Sequence, residues 1–254
     1  MNVVIFSKDR AAQLDLLLRS MPEWFDEVYV IWTASDNNYR NAYQVLMNET
    51  PECVMCIQQG KDFKQDTVWF ADSPNEHTMF LTDDDVFLRG FDMPTMPDNV
   101  ACLSLRLNPR MDYCYTLNRP QKMPKIGTAG NIWNWRLADA DYGYPMSLDG
   151  HIFRTADILP LLERLDYHDP NSLEAALARN PINRPMMMCF DRSVIVNNPV
   201  NRVQDTIKNR FGEFFGYSQE WLNKQFMAGK RIKLEPFIGY DPNACHVELP
   251  IIME

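Results

Sequence analysis

Glycine is scarce in this chain, ten residues in 254, and none of them forms a GxxxxGK[ST] loop or a GxGxxG turn after the first apolar run. Nothing therefore advertises a P-loop or a Rossmann dinucleotide turn, and any nucleotide must be gripped differently. Long apolar runs are missing as well. No stretch approaches the roughly 18 apolar residues of a membrane span, and the opening MNVVIFSKDR is too short in apolar residues for a signal peptide. Both absences favour the cytoplasm. Positive charge is in deficit, with 25 Lys and Arg against 34 Asp and Glu and a net charge of −9, so no global basic field exists to hold a nucleic-acid backbone or an anionic membrane. The six cysteines are scattered through a chain too large to need staples, which points to reduced, mostly buried thiols. Cys53-Val54-Met55-Cys56 has no second pair to complete a zinc site.

What is present is an apolar content of 46%, enough for a sizeable core in one domain. Apolar runs at Val3 to Phe6, Val28 to Trp32, Val54 to Gln58, Phe80 to Thr82 and Val100 to Leu107 read as strands. Helical patterns lie between them, from Leu14 to about Met21, from Asn38 to Met47 and around Thr67 to Ala71. Pro109 to Gly130 reads as loop, and Ser147 to Arg154 as a second acid-containing strand followed by a helix through Leu162. Further helices are predicted over Asn171 to Ala178 with Asn171 as cap, Val203 to Arg210, and Ser218 to Met227 with Ser218 as cap and Gly229 as terminator. Strands alternating with helices predict an α/β fold with a mainly parallel sheet flanked by helices and a helical C-terminal extension. Ligands of such sheets gather beyond the carboxyl ends of the strands.

The run Met79-Phe80-Leu81-Thr82 leads straight into Asp83-Asp84-Asp85. A buried strand should not end in three acids unless something positive is waiting there. Two unit charges about 4 Å apart interact by roughly 4 kcal/mol at an effective dielectric near 20, so carboxylates and a diphosphate repel unless a divalent cation lies between them. Mg²⁺ or Mn²⁺ takes one or two carboxylates and completes its shell with phosphate oxygens and water. If the strand continued, Asp83 and Asp85 would point the same way and Asp84 elsewhere.

An N-terminal strand ending in Ser7-Lys8-Asp9-Arg10, the strand tipped by Asp83 to Asp85, and a histidine late in the chain together resemble the GT-A glycosyltransferases. The resemblance spans most of the chain. It implies a nucleotide-sugar-binding half over 1–107, an acceptor-side half over 108–200, and C-terminal helices and tail over 201–254. It gives Asp83 and Asp85 to a Mn²⁺ or Mg²⁺ ion, Asp84 to the ribose or sugar, and Ser7, Asp9 and Arg10 to the nucleotide. It also makes His246, in Asn243-Ala244-Cys245-His246-Val247-Glu248, a further metal ligand. The stretch Asn198 to Asp205 looks like the C-terminal part of uncharacterised bacterial and viral members. The implied reaction carries a sugar from a nucleotide-sugar, UDP-linked, to an acceptor hydroxyl on a glycan.

An inverting transferase needs a carboxylate to take the acceptor proton. Asp149, in Leu148-Asp149-Gly150, and Glu174, three residues after Asn171, compete for it. Asn171 and Glu174 also have the spacing of a capping box, and the glycine after Asp149 would let a substrate approach the backbone. A retaining mechanism needs neither acid. Trp133, Trp135, Tyr142 and Tyr144 could stack on a sugar, but packing is the preferred reading. The alternatives are transfer to a modified DNA base, which the acidic balance disfavours, and a DxD-type phosphohydrolase, in which Phe87 would replace the expected Thr or Val. A nucleotidyltransferase lacks its glycine-rich loop here, and an EF-hand lacks its glycine at Leu88.

Overall fold

The computed structural model describes residues 1–25, 27–127, 130–203 and 210–254. The predicted helix over Val203 to Arg210 falls almost wholly outside them.

The first part of the chain alternates strand and helix: β1 (Asn2–Lys8), α1 (Ala11–Ser20), β2 (Glu27–Thr33), α2 (Asn37–Glu49), β3 (Val54–Gln58), α3 (Phe63–Ala71) and β4 (His77–Thr82). Carboxylates start two of these helices, Asp36 accepting from the backbone N–H of Asn38 and Tyr39, and Asp62 from that of Gln65. Short strands follow as β5 (Asp85–Phe87), β6 (Val100–Ser104), β7 (Tyr113–Cys114), β8 (Arg119–Pro120) and β9 (Asn131–Asn134). The chain then continues through β10 (His151–Arg154), α4 (Thr155–Arg164), α5 (Pro170–Arg179), β11 (Met186–Cys189), β12 (Ile195–Asn197) and α6 (Gln219–Met227).

Eight strands form one sheet in the order β3-β2-β1-β4-β10-β6-β11-β9, in which only β9 and β10 run against the rest. Helices flank this large, mainly parallel sheet. Its buried residues divide by strand period between two cores: Val3, Ile5, Met79 and Leu81 face one, Val4, Phe6 and Phe80 the other. A separate ribbon pairs β12 with β5, setting Asn197 opposite Asp85, and a bridge sets His246 beside Asn197. No helix among the described residues is long and apolar enough to cross a membrane.

Three local expectations are corrected. The strand predicted over Ser147 to Arg154 starts only at His151, because Gly150 turns the chain at φ +67°. A Cβ on Gly150 would fall 1.9 Å from Ile195 Cδ1, so this glycine makes room for core packing rather than for a substrate. The predicted Asn171 cap and its capping box with Glu174 are replaced by a box two residues earlier. Asp169 accepts from Ser172 N at 2.7 Å and Ser172 Oγ accepts from Asp169 N at 3.0 Å. The C-terminal part has one helix among the described residues, α6, with Ser218 as its cap and Gly229 at φ +83° beyond its end, both as expected.

Candidate functional site

The reversal of β10 decides what meets at the carboxyl edge of the sheet. Because it runs antiparallel between β4 and β6, its beginning lies beside their ends: Gly150 N donates to Phe80 O and Leu105 N donates to Gly150 O, both at 2.9 Å. Asp149 and Arg106 are thereby drawn to the tip of the acid-ended strand. A cavity of 770 Å³ opens over this edge, and Ser7, Arg10, Asp83, Asp149, Glu174 and His246 all line it.

On the β1 side, Asp83 is wholly engaged. Its Oδ2 accepts from Ser7 Oγ at 2.8 Å and from Lys8 N at 3.0 Å, while its Oδ1 accepts from Arg10 Nη1 at 2.8 Å. Arg10 also reaches Asp84 Oδ2 at 3.1 Å and Asn201 Oδ1 at 2.8 Å. Burial pushes the Asp83 carboxyl up to about 6 despite the Arg10 charge. Asp9 stands apart. At φ +56°, it turns its carboxylate back to accept from Ser35 N at 2.7 Å, and it does not line the cavity. Its observed role is to brace the turn that aims Arg10.

At the tip of β4, three carboxylates crowd one hydroxyl. Thr82 Oγ1 lies 2.9 Å from Asp84 Oδ1, 3.1 Å from Asp149 Oδ1 and 3.4 Å from Asp85 Oδ2. A hydroxyl has a single proton to donate, so two of these contacts bring oxygens together without it. Asn197 Nδ2 relieves part of the repulsion, at 2.9 Å from Asp84 Oδ1 and 3.2 Å from Asp85 Oδ1. Asp85 is fully buried, does not line the cavity, and is pushed well above the usual carboxylate range by burial and by the charges of Asp149 and Asp84. Such hard oxygen donors suit a divalent cation. Among the described residues, however, no three His, Cys, Asp or Glu side chains form a ready cage. One or two protein ligands are enough for an ion that takes its remaining oxygens from a diphosphate and water, and the donor set here fits that arrangement.

On the β6 side, Asp149 Oδ2 accepts from Arg106 Nη1 at 3.1 Å and lies 3.4 Å from His246 Nε2. Burial alone would raise this carboxyl, but the contact with His246 and the charge of Arg106 hold it well below its usual range. Glu174 behaves in the opposite way. Burial and the neighbouring Asp149 raise it, although its Oε1 accepts from Ser147 Oγ at 3.0 Å and Leu148 N at 3.2 Å. No described residue donates to its Oε2. The two competing acids thus reach the same cavity with opposite proton affinities. Of the aromatic group, Trp133 and Tyr142 are core, with Trp133 Nε1 donating to Tyr142 O at 2.8 Å, whereas Tyr144 lines the cavity.

Sequence reasoning missed Thr82, Arg106 and Asn197, and it gave Tyr144, weighed there as a ring that could stack on a sugar, to packing. Arg106 was findable by the logic that marked the three acids, since it is a charge embedded between Leu105 and Leu107 at a strand end. Asn197 carries no signal before β12 is known to pair with β5.

No protein-family model matches the chain. Over 262 aligned residues, 82% of this chain, it is 26% identical to the bifunctional glycosyltransferase pgtA of Dictyostelium discoideum, and it spans 33% of that protein's length. Among solved structures it is similar to S. aureus TarS, at 15% identity and a TM-score of 0.41 over 77% of this chain and 36% of that one. A shorter form, TarS 1–349, gives 13% identity and a TM-score of 0.39 over 79% of this chain and 61% of the other. The resemblance to GT-A glycosyltransferases carried by the acid-tipped strand is thus matched by sequence similarity to a named glycosyltransferase over most of the chain.

Proposed function

We propose that the protein is a metal-dependent glycosyltransferase that moves a sugar from a nucleoside-diphosphate sugar, UDP-linked, to an acceptor hydroxyl on a glycan. The observation that carries this reading is that one cavity joins the crowded carboxylates of β4 to Glu174, a carboxylate with raised proton affinity and a free oxygen. Sequence similarity to pgtA supports the reaction class.

Of the residues expected to hold a cation, Asp85 is walled behind Asn197 and Asp83 is committed to Arg10 and Ser7. Asp84 and His246, which line the cavity, are the groups that would hold the ion: Arg10, Thr82 and Asn197 contact the Asp84 oxygens, but its side chain is 13% exposed against 4% for Asp83, and Asp85 would add to the negative field behind them. When bound, Mn²⁺ or Mg²⁺ supplies charge neutralisation for the departing diphosphate. Ser7 and Arg10 position the nucleotide. Glu174 Oε2 takes the acceptor proton as the acceptor oxygen bonds to the anomeric carbon and the bond from that carbon to the diphosphate oxygen breaks, with inversion. Asp149 is unsuited to that step because it is already engaged by Arg106 and His246; it neutralises Arg106 and orients the His246 ring instead.

A phosphohydrolase using Asp83 as nucleophile is disfavoured, because both oxygens of that carboxylate accept hydrogen bonds. Screening nucleotide-sugars with and without Mn²⁺ by shift in melting temperature tests the proposal. Metal-dependent stabilisation by one nucleotide class is expected, and a flat response to every donor would refute it.

A further inference from the structure

Arg106 is a buried charge that meets little of its hydrogen-bonding capacity among the described residues. Its side chain is 3% exposed, yet only one of its five N–H groups, on Nη1, donates to a described residue, and Nε is buried without any partner. A guanidinium cannot shed its proton, so this burial is costly unless another acceptor arrives. Arg106 lines the cavity, and so does Tyr144, whose hydroxyl has no partner among the described residues. Burial and the charges of Glu174 and Asp149 keep that hydroxyl protonated, as a donor. Glu174, whose Oε2 has no donor among the described residues, lines the same cavity.

Position separates this group from the nucleotide wall. In the sheet order β1-β4-β10-β6, the strand leading to Arg106 lies three places from the strand leading to Ser7, about 14 Å at the usual strand spacing. A nucleoside diphosphate anchored at Ser7 and Arg10 would bring its sugar, not its phosphates, toward Arg106. The surrounding charge agrees. Asp149 already neutralises Arg106 and Glu174 adds a negative neighbour, so a second anion would be repelled while neutral hydroxyl oxygens would be welcome.

We propose that Arg106, with Tyr144 beside it, grips hydroxyl groups of the transferred sugar and so determines which sugar the cavity accepts. This rests on the glycosyltransferase reading. A site built around hydrogen bonds to a hydroxyl rejects analogues lacking it, because the buried donors are left unpaired.

The test is calorimetric and needs no acceptor. Wild type, Arg106→Lys and Tyr144→Phe are titrated, with Mn²⁺ present, with bare UDP, GDP and dTDP and with their hexose conjugates, including monodeoxy hexoses of whichever nucleotide binds. Wild type should bind the conjugate more tightly than the bare nucleotide. Each variant should lose about tenfold or more of that advantage while keeping its affinity for the bare nucleotide. One monodeoxy sugar should bind wild type and Arg106→Lys alike, as a shared contact requires. Tyr144→Phe removes a single oxygen and keeps the test open if Arg106→Lys folds poorly. Retention of the full sugar advantage by both variants would overturn the proposal, as would parallel loss for sugar and bare nucleotide. A wild-type protein that binds no nucleotide would overturn the underlying reading and this one with it.

Discussion

Replacing Glu174 by Gln separates chemistry from architecture. The two side chains have the same shape, and a Gln oxygen can go on accepting from Ser147 Oγ and Leu148 N, so the fold should survive. What disappears is the proton acceptor on the cavity side. Loss of a general base costs typically 10²–10⁴ in rate, so turnover should fall at least about a hundredfold while donor affinity stays the same. Stability should move the other way. Burial and Asp149 raise the folded-state proton affinity of Glu174 above its unfolded value, so between those two values the folded protein holds more protons and loses stability as pH rises. Below the unfolded value, near 4.3, the penalty is absent. Above the folded value it is complete, at about 1.4 kcal/mol for each pH unit separating the two. Gln carries no such penalty. The variant should therefore melt with wild type near pH 4 and above it at pH 7.5, in thermal scans read beside single-turnover kinetics. Wild-type turnover would remove Glu174 as the base. A variant less stable than wild type at pH 7.5 would show that the charge itself is needed for packing.

Arg10→Ala leaves Asp83 and Asp84 without their cation and should cost about 3–5 kcal/mol in urea denaturation; a loss under about 1 kcal/mol would show the pair to be dispensable. His246→Ala should weaken Mn²⁺-dependent nucleotide binding with little change in the melting temperature of the metal-free protein, and the reverse pattern would make it a packing residue. Gly150→Ala meets both the positive φ and Ile195 Cδ1, and should destabilise by about 1–3 kcal/mol or more. Adding Ile195→Val, which deletes that methyl, should recover part of the loss, and no recovery would refute the steric account.

The parallel half of the fold was legible because β1 and β4 are buried on both faces and read as unbroken apolar runs, with polar turns where they end. The antiparallel β10 was legible as apolar residues but not in direction or start, since both depend on Gly150 meeting Ile195, 45 positions away in the chain. The same holds for the site. The three acids announce themselves because they violate the burial rule locally. The opposite behaviour of Asp149 and Glu174 could not be read, because one is set by Arg106 and His246 and the other by burial and the nearby Asp149, through surroundings that exist only once the sheet closes. A capping-box spacing misread Glu174 for the same reason, as Asp169 and Ser172 took that task.

Buried polar atoms without partners are rare in folded proteins, and their placement is informative. Among the described residues nine buried side-chain polar atoms are unpartnered, and three of them, Arg106 Nε, Asp141 Oδ2 and His246 Nδ1, belong to residues that line the 770 Å³ cavity. The overcommitted proton of Thr82 lies at the same place. A sequence under selection for stability alone could replace buried groups of this kind with apolar residues of similar size at little cost, and often with a gain. Retaining these three leaves unmet hydrogen-bonding capacity of both signs around the cavity, with the crowded carboxylates beside β4 and the under-used donors of Arg106 beside β6. A ligand that carries a cation and phosphates at one end and hydroxyl groups at the other is complementary to that division. An acid cluster serving only to hold a structural ion would leave the Arg106 end unexplained.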